Sequence, residues 1–78
     1  MKVTVLFYDL AQKRDATVES PKALTCREAA SRLFRQIGRD SDEELNGVIY
    51  MVNQVRMSAD ELLSDGDVLS VFLLLGGG

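Results

Sequence analysis

Asp65-Gly66-Asp67-Val68-Leu69-Ser70-Val71-Phe72-Leu73-Leu74-Leu75-Gly76-Gly77-Gly78 closes the chain, and its reading decides the fold. The Asp-Gly-Asp triplet is a turn, with glycine for a positive φ and aspartates able to accept from nearby amides. Val68 to Leu73 is apolar on both faces, which predicts a strand lying centrally in its sheet. The three glycines have no Cβ and go where backbone must pass close to another surface. A central strand running into them presents the α-carboxylate of Gly78 on a thin stalk.

Working outward, Lys2 to Tyr8 is a second run apolar on both faces, with Val3, Val5 and Phe7 on one and Thr4, Leu6 and Tyr8 on the other. If this first strand and the last are both central, they pair side by side. They then run parallel, because the chain between them makes a complete circuit. Between them, Asp9 to Arg14 reads as a polar connection and Ala16-Thr17-Val18-Glu19 as a short strand, which Pro21 ends.

Thr25-Cys26-Arg27-Glu28 is a capping box, and Ala29, Ala30, Leu33, Phe34 and Ile37 recur at helical spacing behind it. The pattern predicts a helix over 26–37, with Gly38 just past its end. Arg39 to Asn46 reads as a solvated acidic loop. Val48 to Val52 is a third strand, and Asn53-Gln54 a tight turn into a short fourth at Val55 to Met57. Ser58-Ala59-Asp60-Glu61 resembles a second capping box and predicts a helical turn ending near Leu62-Leu63. The sum is an α+β domain over 1–75, a mixed sheet of four to five strands crossed by one main helix, with 76–78 as a flexible glycine tail.

Composition removes several functions. Seventy-eight residues make one domain, which buries only about 60–65% of its unfolded surface. At 46% hydrophobic and 27% charged it is an ordinary globular composition. A net charge of −3 is wrong for a nucleic-acid binder and compatible with docking on a basic protein surface. With one cysteine and no histidine there is no disulfide framework, no zinc site and no imidazole acid or base. No apolar run approaches the roughly 18–20 residues of a membrane span, and no signal peptide is visible. The chain is expected to be cytosolic and not itself an enzyme. Cys26, at the first helical position beside Arg27, has a thiolate reading and a core reading, of which the core reading is expected. Phe7, Phe34, Phe72 and Leu73 are expected in the core, and Leu74 and Leu75 against a partner.

Element order, size, the Leu63-Ser64-Asp65-Gly66-Asp67-Val68 turn and the terminal glycines together resemble the ubiquitin-like β-grasp sulfur carriers over the whole chain. Val52-Asn53 matches the family's Val-Asn-Gly segment, with Gln54 in place of glycine. Val5-Leu6-Phe7-Tyr8 and the connection after it are closer to the small subunit of molybdopterin synthase. The ending departs from that subunit, since Leu73-Leu74-Leu75 stands where it carries a Pro-Pro pair. Gly76-Gly77-Gly78 is closer to the thiamine-pathway carrier.

The resemblance implies a β-grasp fold and a specific chemistry. An E1-like adenylating enzyme, consuming ATP, activates the Gly78 carboxylate, and sulfur then replaces AMP to leave a thiocarboxylate. Gly76 and Gly77 thread the tail into the enzyme, and Leu74 and Leu75 contact it. The sulfur passes to an acceptor enzyme such as a molybdopterin synthase large subunit or a thiazole synthase. No cofactor or metal is implied on the chain itself. A protein modifier conjugated through Gly78 and a plain interaction domain remain as other readings.

Overall fold

The two strands apolar on both faces lie side by side at the centre of one five-stranded sheet. The computed structural model describes residues 1–9, 13–39 and 41–73. Its elements are β1 (Lys2–Tyr8), β2 (Lys13–Glu19), α1 (Cys26–Gln36), a one-turn α2 (Ser41–Glu44), a 3-10 turn (Leu45–Gly47), β3 (Val48–Val52), β4 (Val55–Met57) and β5 (Val68–Leu73). The strand order is β2-β1-β5-β3-β4. β1 and β5 are parallel, with Thr4 opposite Val68 and Tyr8 opposite Phe72, and the other pairings are antiparallel. This is the mixed sheet and single main helix that the sequence predicts.

Alternation along the strands sends Val3, Val5, Phe7, Val18, Tyr50, Val52, Leu69 and Val71 to one face, where all are buried. α1 covers that face with Cys26, Ala29, Ala30, Leu33 and Phe34. Phe7 meets Phe34 edge to face with ring centroids 4.8 Å apart. Each such buried side chain contributes roughly 1.5–3 kcal/mol of transfer free energy.

The start of α1 is held from two directions. Thr25 Oγ accepts from the Glu28 amide at 3.1 Å, and Glu28 Oε1 accepts from the Thr25 amide at 2.9 Å. The Cys26 and Arg27 amides donate to the carbonyls of Glu61 (3.0 Å) and Ala59 (2.9 Å), and the Ala29 amide to that of Thr25 (3.0 Å). The four amides that a helix start leaves open, those of Thr25, Cys26, Arg27 and Glu28, thus all have acceptors, and Ala29 begins the helix's own ladder. This corrects the expected helical turn after Ser58. Glu61 does reach back to the Ser58 amide, but the segment forms only a turn, because its carbonyls face the start of α1 rather than a helix of its own.

Three further expectations change. β2 begins at Lys13, not Ala16. Arg39 to Asn46 is not simply a solvated loop but contains α2 and most of the 3-10 turn, anchored by the buried Leu45. Arg39 lies over the Phe7 ring (5.2 Å) and the Phe34 ring (5.7 Å) and pairs with Asp9 and Glu44. α1 ends at Gln36 with Ile37 as its cap, and Gly38 has the expected positive φ of 75°.

Candidate functional site

β5 is held on both sides up to its last residues, since Phe72 is flanked by Tyr8 and Ile49 and Leu73 by Val48. The Asp65-Gly66-Asp67 turn fixes its start. Gly66 has φ 87° and its amide donates to the Lys2 carbonyl at 2.7 Å. Asp65 Oδ1 accepts from the Lys2 amide at 2.7 Å, and Asp67 Oδ2 from the Ser64 amide at 2.8 Å. The direction in which the chain leaves β5 is therefore set by the two central strands. Gly76, Gly77 and Gly78, with Leu74 and Leu75, lie outside the described residues. So does the expected boundary between the domain and its tail.

Among the described residues no helix covers the sheet face away from α1, and that face is apolar around the end of β5. Tyr8 and Phe72 stack across the parallel pair at 4.8 Å and 9° between ring planes. Ile49 sits beside Phe72, and the next row brings Leu6, Ser70 and Met51 together. Leu6, Tyr8, Ile49, Met51 and Phe72 are all half-buried. Lys13, whose Nζ lies 5.7 Å from the Tyr8 ring, and Asp15 close one side, and Arg56 the other. An apolar, aromatic patch with charged margins has the composition of a protein-docking surface.

Phe72 is thus not a core residue as expected; strand alternation puts it opposite Leu69 and Val71, on the uncovered face. Phe7 and Phe34 are core, and Leu73 packs partly buried against it. The uncovered apolar face escaped the sequence reading although a signal was present. β1 and β5 are apolar on both sides, and one helix can cover only one side of a sheet.

Cys26 is fully buried. Burial, with help from the Glu61 carboxylate, pushes its thiol up to about 11, against a smaller opposing pull from its own backbone amide. It is a core residue, as expected, and not a nucleophile at neutral pH. Among the described residues no group of three or more His, Cys, Asp or Glu side chains comes together to hold a metal. No helix among them is long and apolar enough to cross a membrane.

A family model described as the ThiS family matches residues 5–78. The chain belongs to the ThiS family. It is a ubiquitin-like β-grasp member of the sulfur-carrier group. Solved structures that resemble this ThiS-family chain include a putative molybdopterin converting factor subunit 1 from Pyrococcus furiosus, at 26% identity over 95% of this chain and 98% of that one, with a TM-score of 0.69. The crystal structure of SAMP1 from Haloferax volcanii is 16% identical over all of both chains, TM-score 0.73. The complex of subunits 1 and 2 of the molybdopterin-converting factor from Helicobacter pylori 26695 contains a chain 21% identical over all of both, TM-score 0.64. These last two bear on the fold. No curated protein matches this ThiS-family chain.

Proposed function

We propose that this ThiS-family chain carries sulfur on its last residue, Gly78, in the synthesis of molybdopterin. A central strand, fixed on both sides, ends beside an uncovered aromatic face, and this observation carries the reading. Gly78 is five residues beyond Leu73, so even a fully extended chain carries it at most about 18 Å. An enzyme acting on its carboxylate must therefore seat closely on the body, and the face of Tyr8, Ile49 and Phe72 offers it an apolar surface at the end of β5.

A carboxylate resists nucleophiles until one oxygen becomes a good leaving group. In the proposed sequence an E1-like enzyme supplies that by adenylation with ATP, a persulfide displaces AMP to form an acyl disulfide, and a thiol reduces the S–S bond to leave the thiocarboxylate. Gly76 and Gly77 pass through a narrow channel without a Cβ, while Leu74 and Leu75 meet its walls and offset part of the ordering cost. The chain binds no cofactor of its own in this scheme, and the catalytic side chains belong to its partners. The large subunit of a molybdopterin synthase is the proposed acceptor, supported by the likeness to the Pyrococcus furiosus subunit 1.

Intact-mass measurement tests this. With an E1-like enzyme, ATP, a persulfide donor and a thiol reductant, Gly78 is expected to exchange one oxygen for sulfur, and deletion of Gly78 to abolish the exchange while thermal unfolding stays unchanged. A chain that remains the free acid sinks the carrier reading. Adducts on lysines of other proteins identify a modifier, and sulfur delivery only to a thiazole synthase identifies the thiamine branch.

A further inference from the structure

The β4 edge of the sheet is incompletely covered, and the gap is open to both faces. β4 pairs with β3 only from Tyr50 to Val52, so Val48 and Ile49 have no β4 partner. A cleft of about 550 Å³ opens at that gap, with Arg27, Asn46, Tyr50 and Arg56 among its polar lining and Leu45 and Met57 among its apolar lining. Arg27 Nη1 donates to Asn46 Oδ1 at 3.2 Å, which holds one guanidinium at the wall. Glu61, whose carboxylate accepts from the Ser58 amide, is not part of the lining.

Tyr50 is only 4% exposed, and its hydroxyl is the one buried side-chain polar atom among the described residues without a hydrogen-bond partner. Native folds rarely leave such a group unsatisfied, and a recurrent reason is a ligand or ion that completes it. Burial holds the phenol above its ordinary range, outweighing the pull of the Arg27 cation, so its proton stays in place. Two guanidiniums and a phenol are donors, and together they call for an acceptor carrying negative charge.

We propose that this cleft binds a small organic oxyanion, a carboxylate or phosphate ester with an apolar body. Its anionic head lies between Arg27 and Arg56 and accepts from the Tyr50 hydroxyl, and its body rests on Leu45 and Met57. Guanidinium forks match both head groups, so the head sets the charge requirement and the body the shape requirement. The site does not depend on the sulfur-carrier reading and stands or falls without it.

A titration of the full-length, nitrogen-15-labelled protein decides it, with phenyl phosphate, benzoate and the uncharged benzyl alcohol as probes. Amides of Val48, Tyr50, Met57 and Ser58 are expected to shift saturably with at least one anion. Binding weakens at least about tenfold in Arg56→Gln, which removes a charge from an exposed position. It weakens about threefold in Tyr50→Phe, which keeps the ring and removes only the hydroxyl. Tighter binding of phenyl phosphate assigns phosphate esters, and tighter binding of benzoate assigns carboxylates. The proposal is overturned by no saturable response, by benzyl alcohol binding equally well, by unchanged affinity in both variants, or by shifts confined to Ser31, Arg32 and Arg35 on α1, outside the cleft.

Discussion

Arg39 and Cys26 sit at opposite ends of α1 and hold it by different means. Arg39 covers Phe7 and Phe34 with its guanidinium plane while donating to Asp9 at 3.1 Å and to both carboxylate oxygens of Glu44. These partners keep it protonated more firmly than usual, the Glu44 hydrogen bond foremost. Because the three side chains remain partly exposed, the charge contribution is screened, and Arg39→Ala is expected to cost about 1–2 kcal/mol, mostly ring contact. Urea unfolding measures this, and a loss under about 0.3 kcal/mol would show that solvent carries those pairs. Cys26 makes a pH-dependent contribution. Its thiol ionises near 9 when unfolded and near 11 when folded. Between those values the unfolded chain has released a proton that the folded chain retains, so stability falls as pH rises, by at most about 1.4 kcal/mol per pH unit from this group. Below pH 8 the dependence from Cys26 vanishes. A Cys26→Ala variant that keeps the same alkaline slope would rule out this origin.

At the scale of elements, the hairpin between β3 and β4 carries a residue that local physics disfavours. Asn53 and Gln54 have φ of 51° and 67°, the doubly positive geometry of a two-residue type I′ turn. Asparagine tolerates that region and glutamine tolerates it poorly. Gln54→Gly is expected to stabilise the protein by about 0.5–1 kcal/mol, the relief exceeding the extra freedom glycine gives the unfolded chain. An unchanged or lower urea midpoint would show that Gln54 makes a compensating contact. Elements built on their own side chains were legible in the sequence: α1 from its cap and stripe, β1, β3 and β5 from their runs, β4 from the turn before it. Those built on another element's backbone were not. Lys13, Arg14 and Asp15 join β2 because β1 offers partners at Phe7, Leu6 and Tyr8, and no apolar pattern announces this. Ser58 to Glu61 has the letters of a helix cap yet gives its carbonyls to α1. Among the described residues of α2 and the 3-10 turn only Leu45 is buried, too little to form a stripe.

For the molecule as a whole, the decisive mismatch is between a sheet with two apolar faces and one helix to cover them. The covered face contains Leu69 and Val71, both fully buried, and the open face contains Phe72, the residue after Val71. Adjacent residues of one strand thus lie on different faces, one packed under α1 and one open, which the sequence alone merged into one core. Separate substitutions distinguish them. Val71→Asp is expected to unfold the protein, because it puts a carboxylate into the packed layer under α1. Phe72→Asp removes the stack on Tyr8, worth about 0.5–1.5 kcal/mol beyond its area, and is expected to leave a folded protein melting a few degrees lower. Its larger effect falls on recognition: the KM for adenylation by the E1-like enzyme should rise about tenfold or more, as for an aromatic at the centre of an interface, with kcat little changed because Gly78 is untouched. Ile49→Asp, on the same face and without an aromatic stack to lose, should reproduce the KM effect with a smaller change in melting. Normal KM in both variants would remove the open face from the docking surface and leave the tail as the sole element recognised.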